Sequence, residues 1–320
     1  MTDNIVDRRR ELLFFYDVTD SNPNGDPDNE NLPRMDLEGY NIVTDVRLKR
    51  TIRDYWLKTK QGEPNMQVLV RRVIEEKKGK ILSMEKLVYD ALNETEKTDK
   101  TKLLLKIIGD LPKIFIDIRC FGAALTVKGA NYSFTGPMQF AIGKSLNKPI
   151  ISTHTITTTF ASGEDKTAGT FGSFHILDYS LLLFHGLLCE QNAKATKMTE
   201  SDLVNLYEGL WNGTKLLNTR SKFNHIPRLL LSVVSKEEEF QIGGLDKLVS
   251  LVDENGIKQI TKAKIQMEDL VERLVEYKDN IEKIELIIGD DLQLYDESKK
   301  IDDLGKYLKD KGFTITNPLE

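Results

Sequence analysis

RELLFFYDV, residues 10–18, is a short apolar run rich in aromatic residues. Such a run predicts a strand buried within a sheet. From there to about Ile42 the chain is punctuated by Pro23, Gly25, Pro27, Pro33 and Gly39, the pattern of a loop. A loop of over twenty residues inside a compact domain is uncommon and is usually functional. VTDVRLKRTIRDYW, residues 43–56, then takes up helical spacing. Thr44 or Asp45 supplies a cap, and Leu48, Ile52 and Tyr55 share one face.

Further along, residues 60–112 read as a charged helical insertion. Residues 114–127 and 132–142 read as strands joined by a Gly-Ala-Asn turn. Residues 145–172 are rich in Thr, Ser and Lys and hold ISTHTITTTF, whose Ile/Thr alternation predicts a solvated hairpin projecting from the body. Residues 174–189 return to apolar strand. TESDLVNLYEGLWNGTKLLN is a helix capped by Thr199, with Leu203, Leu206, Leu210 and Leu217 facing inward. Residues 226–234 form a strand with Pro227 near its start, and residues 237–320 alternate helix and strand, with KIELIIG as the final strand. Without the insertions the order is β-α-β-β-α-β, an α+β class with an antiparallel sheet and helices on one face. This is the ferredoxin-like plan that RRM domains also use, here as a single palm over 1–320. A plan so widely used fixes no function.

The chain has 320 residues, 40% of them hydrophobic and 30% charged, enough for a sizeable core. The longest apolar stretch, LLLFHGLLC, is half a membrane span. The N-terminus lacks the cleavage pattern of a secretory signal. Cys120 and Cys189 are the only cysteines and have no metal spacing, which suits a reducing compartment and a cytoplasmic protein. The net charge of −5 hides an asymmetry: residues 237–320 carry 21 acids and 12 bases, so the rest is net positive. Residues 118–163 and 209–236 contain no acid at all. Acid-free stretches of this length suit a surface that meets a polyanion.

The loop DSNPNGDPDNE, residues 20–30, begins like a calcium loop with Asp20, Asn22, Asn24 and Gly25. That template needs a Glu at position twelve, where Asn31 stands, and a preceding helix, where a strand is expected. A metal-dependent ribonuclease using Asp17, Asp20 or Asp26 is the rival reading. Asn, Asp, Pro and Gly are also what turns are made of, and the turn reading is preferred. GPMQFAIGKS lacks the first glycine of a phosphate-binding loop, with Met138 in its place. The four histidines, His154, His175, His185 and His225, have no metal-ligand spacing; His175 and His185 read as core residues. No metal or cofactor is expected.

The helix at 43–58 carries five bases and two acids. Lys49 and Arg53 share one face, and Arg47 and Arg50 a neighbouring one. Free N–H groups at Thr44 and Asp45 are a place for phosphate oxygens, and guanidinium forks suit a nucleic-acid backbone. A solvated face partly neutralised by Asp54 is the plainer alternative.

FFYDVTDSNPNGDPDNENLPRMD with NIVTDVRLKRTIRDY resembles the signature of the Cas-seven backbone subunits of type I CRISPR Cascade complexes, closest to the type I-B branch. IDIRCFGAAL, YSFTGPMQFAIGKSLN and GTFGSFHILDYSLLLFHG are similar to the same branch, and the likeness covers most of residues 8–235. The resemblance implies a non-catalytic, RRM-like palm that binds the guide crRNA without reading its sequence. It further implies a helical filament of copies, a β-hairpin thumb inserted into the guide–target duplex, pairing with target DNA, and guide-processing, large and small subunits as further partners. The positions it matches on the first helix are Thr44, Lys49 and Arg53, with Arg47 and Arg50 as weaker candidates and Asn24 in the loop before it. The thumb falls at 145–172, with Lys144 and Lys148 at its base and His154 and Phe160 on it. Phe121 and Met138 are candidates for base or sugar contacts, and Arg220, Lys222 and Arg228 flank the last palm strand.

Overall fold

The computed structural model describes residues 4–75, 79–127, 129–157 and 171–320. Among these, the largest sheet has nine strands: β1 (Arg10–Ser21), β2 (Ile42–Val43), β3 (Met138–Phe140), β4 (Gly143–Ser145), β5 (Ile151–Thr157), β6 (Phe171–Leu188), β7 (His225–Ser235), β8 (Ile281–Ile288) and β9 (Ile315–Thr316). Their order is β9-β8-β7-β1-β6-β4-β2, with β3 and β5 paired to other parts of β6. Neighbours are antiparallel except β8 and β9. The helices are α1 (Asp45–Thr59), α2 (Met84–Leu92), α3 (Lys100–Ile114), α4 (Ile116–Phe121), α5 (Glu190–Thr196), α6 (Glu200–Leu216), α7 (Glu268–Glu276) and α8 (Leu304–Asp310).

β1 explains the architecture. Leu12, Phe14, Tyr16 and Val18 point to one face and pack with Leu48, Ile52 and Trp56 of α1 and Leu203, Leu206 and Leu210 of α6. Leu13 and Phe15 point to the other and join Leu270 and Leu274 of α7 and Leu304 and Leu308 of α8. A strand covered on both faces carries no polar alternation, which is why Leu12–Tyr16 is an unbroken apolar run, while Arg10, Glu11 and Asp17 on either side of it are buried with polar partners. Each fully buried Phe or Leu contributes on the order of 2 kcal/mol. The acid-rich 237–320 region thus supplies the two strands at one edge of the sheet, β8 and β9, and the helices α7 and α8 that cover one face of it.

α1 and α6 approach closely because Gly209 faces Ile52: a Cβ at Gly209 would stand 2.6 Å from Ile52 Cγ2. Trp56 Nε1 donates to the Asn205 carbonyl at 3.0 Å and locks the pair. The α6 start carries a full capping box, Thr199 with Asp202.

Several sequence expectations change. Residues 116–121, expected as strand, form α4, and the strand starts at Gly122. The I-D-I-R-C-F alternation mimics a two-residue period, but Asp117 and Arg119 are buried with partners on other elements, and a helical turn delivers both. The expected strand at 132–142 divides into Ala130–Thr135, which pairs with Gly122–Val127, and β3, which pairs with β6. KIELIIG is not the last strand, since Gln293–Asp296, Lys299–Ile301 and β9 follow it. Leu217 caps the C-terminus of α6 and is only half-buried. The 60–112 region holds α2 and most of α3, packed with the Gly122–Val127/Ala130–Thr135 hairpin in a cluster that includes Leu103, Ile107, Leu125 and Phe134. β5 pairs with residues 171–177 of β6, and this ladder runs beyond the end of β1. The rest of the expected thumb, 158–170 with Phe160, lies outside the described residues.

Candidate nucleic-acid interface

The loop after β1 is a set of turns built from its own side chains. The Asp26 carbonyl accepts from Asn29 and Asn31, and its carboxylate pairs with Arg34 at 2.9 Å. Asn22 Nδ2 donates to the Asn31 carbonyl at 2.6 Å. Glu30 and Asn31 sit at φ 49° and 57°, and Asp20 at φ 49°. Asn24 Oδ1 ties the loop to α1 by accepting from both Thr44 N and Thr44 Oγ1, each at 3.0 Å. Thr44 Oγ1 in turn accepts from Arg47 N at 3.3 Å. The loop thus fixes the N-terminus of the basic helix.

Asp17 does not join the loop carboxylates. It is buried at the end of β1, where Arg228 Nε and Nη2 donate to its two oxygens at 2.9 and 3.0 Å and Tyr179 Oη donates at 3.0 Å. With Asp26 on Arg34, the three carboxylates of the ribonuclease reading do not converge. Among the described residues no group of three His, Cys, Asp or Glu is placed to hold a metal ion.

On α1 the basic residues divide by face. Lys49 and Arg53 are each only 8% exposed. Lys49 Nζ reaches Asp45 at 3.1 Å and Gln139 at 2.7 Å, and Arg53 Nε donates to the fully buried Asp117 at 3.1 Å. Both cations lie over the Phe121 ring, which stacks on Trp56. Arg50 is exposed and pairs with Asp54 at 2.7 Å. Arg47 differs: half-buried, it forms no salt bridge among the described residues, and burial lowers its pKa. Lys222, on the loop after α6, is likewise half-buried without a carboxylate; burial and then Arg47 lower its pKa. His225 stacks on Tyr16 beneath them and bonds Ser21 Oγ at 3.1 Å. Burial, then Arg47 and Lys222, push its pKa down to about 3, so it is neutral at pH 7. A buried cation without a counter-ion is costly unless an anion completes it.

The family described as CRISPR-associated protein Cas7 matches residues 8–280. This chain belongs to the Cas7 family. CRISPR-associated protein Cas7 of Haloferax volcanii is 28% identical over 337 residues, covering 96% of this chain and 95% of the relative. The fold is similar to a chain of a solved CRISPR RNA-guided surveillance complex, pre-nicking, with TM-score 0.51 and 11% identity over 90% of this chain and 96% of that one.

The remaining candidates of this Cas7 chain fall in three places. Lys144 pairs with Asp36 at 2.8 Å and Glu38 at 3.2 Å, and both Lys144 and Lys148 lie over the Tyr40 ring. His154 stacks on Phe174 at 5.2 Å, and Arg220 lies over the same ring at 4.9 Å, joining the β5–β6 ladder to the loop that carries Lys222. Met138 is 1% exposed in the core, and Arg228 is 7% exposed and spent on Asp17. The site thus gathers Asn24, Thr44, Arg47 and Lys222 at one end of β1 and His154 and Arg220 beside it, while Met138 and Arg228 act inside the fold. His175 Nδ1 contacts Thr153 Oγ1 at 2.9 Å, and His185 sits between Glu11 and Asp246. Sequence reasoning missed Tyr40, Gln139 and Phe174. Tyr40 and Phe174 take cations from distant parts of the chain on their rings, a contact with no local signal in the sequence. Among the described residues no helix is long and apolar enough to cross a membrane.

Proposed function

We propose that this Cas7 chain coats a guide RNA, gripping its sugar-phosphate backbone without reading sequence and without cleaving it. The observation that carries this is the pair Arg47 and Lys222: two half-buried cations that form no salt bridge among the described residues, Asp54 being the carboxylate nearest in effect to Arg47 but paired with Arg50, beside a helix N-terminus fixed by Asn24 and Thr44. A phosphate oxygen is the anion that such a pair lacks. Family membership supports the same reading. The order β7-β1-β6-β4, with α1 and α6 on one face, supports a ferredoxin-like palm of the kind RRM domains use. On this reading copies of the chain line up along the crRNA in a type I Cascade assembly, the β5–β6 ladder is the base of the thumb, and base pairing selects the target DNA. Guide-processing, large and small subunits complete the complex. Thr44, Asn24, Arg47, Arg50, Lys148, His154, Arg220 and Lys222 face the RNA. Lys49, Arg53 and Phe121 position α1 beneath it, and Lys144 orders the Asp36–Glu38 turn.

The test is the salt dependence of binding of the full chain to a labelled single-stranded RNA. Affinity falls steeply with salt, and Arg47→Ala and Lys222→Ala each flatten the log–log slope by about 0.7, the contribution of one phosphate on a single strand. The loss is equal across RNA sequences, and the RNA stays intact with magnesium. A flat salt response, or unchanged slopes in both variants, overturns the reading.

A further inference from the structure

Among the described residues Phe223 is the only Phe, Tyr or Trp whose side chain is exposed, at 58%. Its position is held firmly. Thr219 and Lys222 exchange backbone hydrogen bonds at 2.9 and 3.2 Å, closing a turn, and Asn22 N and Ser21 Oγ both donate to the Ser221 carbonyl, at 2.8 and 3.1 Å. Phe223 N donates to Ser21 Oγ at 3.2 Å. Asn224 follows at φ 54°, so the chain turns back into β7 and leaves the Phe223 ring outside. A benzyl group kept in water on a rigid loop loses the burial that Phe normally gains.

The loop's neighbours say what covers the ring. Phe223 adjoins Lys222, whose cation has no carboxylate partner among the described residues and lies within electrostatic reach of Arg47. At the other end of the turn, Arg220 lies over Phe174, which stacks on His154. No acidic residue occurs between Gly209 and Lys236. An apolar protein partner would find a single ring set among cations. A single-stranded nucleic acid offers phosphates for Lys222 and Arg47 and a π-face for the ring. Resting on the RNA reading above, we propose that Phe223 is a stacking platform for one nucleobase of the bound strand. Every base has a π-face, so this contact adds affinity without sequence preference.

The experiment compares the full chain carrying Phe223→Leu, Phe223→Ala or Phe223→Trp on a uridine oligomer and on an abasic ribose-phosphate oligomer of the same length. Thermal melts check that each variant folds, and the exposure of Phe223 predicts that they do. On the uridine oligomer, Leu and Ala weaken binding by about five- to hundredfold and Trp preserves it. On the abasic oligomer the three variants match the wild type. Leu binding the uridine oligomer as tightly as Phe overturns the platform, and so does an equal loss on both oligomers. Loss of contact with another protein while RNA affinity holds assigns the ring to a protein partner and also overturns it. If Phe223 variants bind like wild type while Arg47→Ala flattens the salt slope, only this inference fails; if wild type binds neither oligomer, both readings fail.

Discussion

Arg53→Ala separates a structural role from a binding role. Arg53 Nε donates to Asp117 Oδ2 at 3.1 Å, and Asp117 is fully buried. The same carboxylate accepts from Leu69 N and Val70 N, both at 2.9 Å, so it anchors the chain where it enters the 60–112 insertion. Removing the guanidinium leaves a buried carboxylate with two amide donors and no cation. Breaking a buried pair by deleting one partner costs about 3–5 kcal/mol. Unfolding entropy of about 2.1 cal/mol/K per residue makes 1 kcal/mol worth about 1.5 °C for a chain of 320 residues. Differential scanning calorimetry at pH 7 then shows Tm about 4–7 °C lower, with a smaller drop in Arg53→Lys, which keeps the charge. The family resemblance matched Arg53 to an RNA contact; the burial of Asp117 argues that removing Arg53 harms folding. A Tm within 1 °C of wild type, with RNA affinity lost, refutes this reasoning and restores Arg53 as a direct contact.

His225 gives a pH signature. With its folded pKa down at about 3 and an unfolded value near 6.5, the unfolded chain binds the extra proton between those limits. Stability conferred by the neutral ring is whole above about pH 6.5 and falls as pH drops toward 3, by about 1.4 kcal/mol per unit and about 2 kcal/mol at pH 5. Chemical denaturation at pH 7 and pH 5 reads this as a pH difference that shrinks in His225→Gln; an undiminished difference rejects it. Gly209→Val forces Ile52 and α1 away from α6, because the new Cβ alone would stand 2.6 Å from Ile52 Cγ2. The overpacking costs about 1–3 kcal/mol, read as a lower urea midpoint, and an unchanged midpoint contradicts the close approach.

What the sequence revealed is what local chemistry decides. Thr44 before a helical run and Thr199 before another both cap the helices they announce. β1 was legible because a strand covered on both faces needs an apolar run. α4 was not, because its fate is set by groups far along the chain: Arg119 finds Asp202, and Asp117 finds Arg53 and the amides at Leu69 and Val70. The same limit governs the candidate site. Helical spacing puts Lys49 and Arg53 on one face, but only Gln139 and Asp117 reveal that this face turns inward. Arg228 reads as a free base until β7 brings it beside Asp17. Phe174 and Tyr40 carry no local mark, since each becomes notable only when a distant cation settles on its ring.

β6 is a single strand of 18 residues, roughly 60 Å of unbroken backbone. Residues 177–188 are laddered to β1, while residues 171–177 carry β5. The strand is therefore a lever with its fulcrum in the core and no joint along its length. A load on the β5 end is transmitted as torque into the β1 ladder instead of being absorbed at a hinge. Amides of β1 would then register an event at the far end of the ladder as a change in their exchange with solvent.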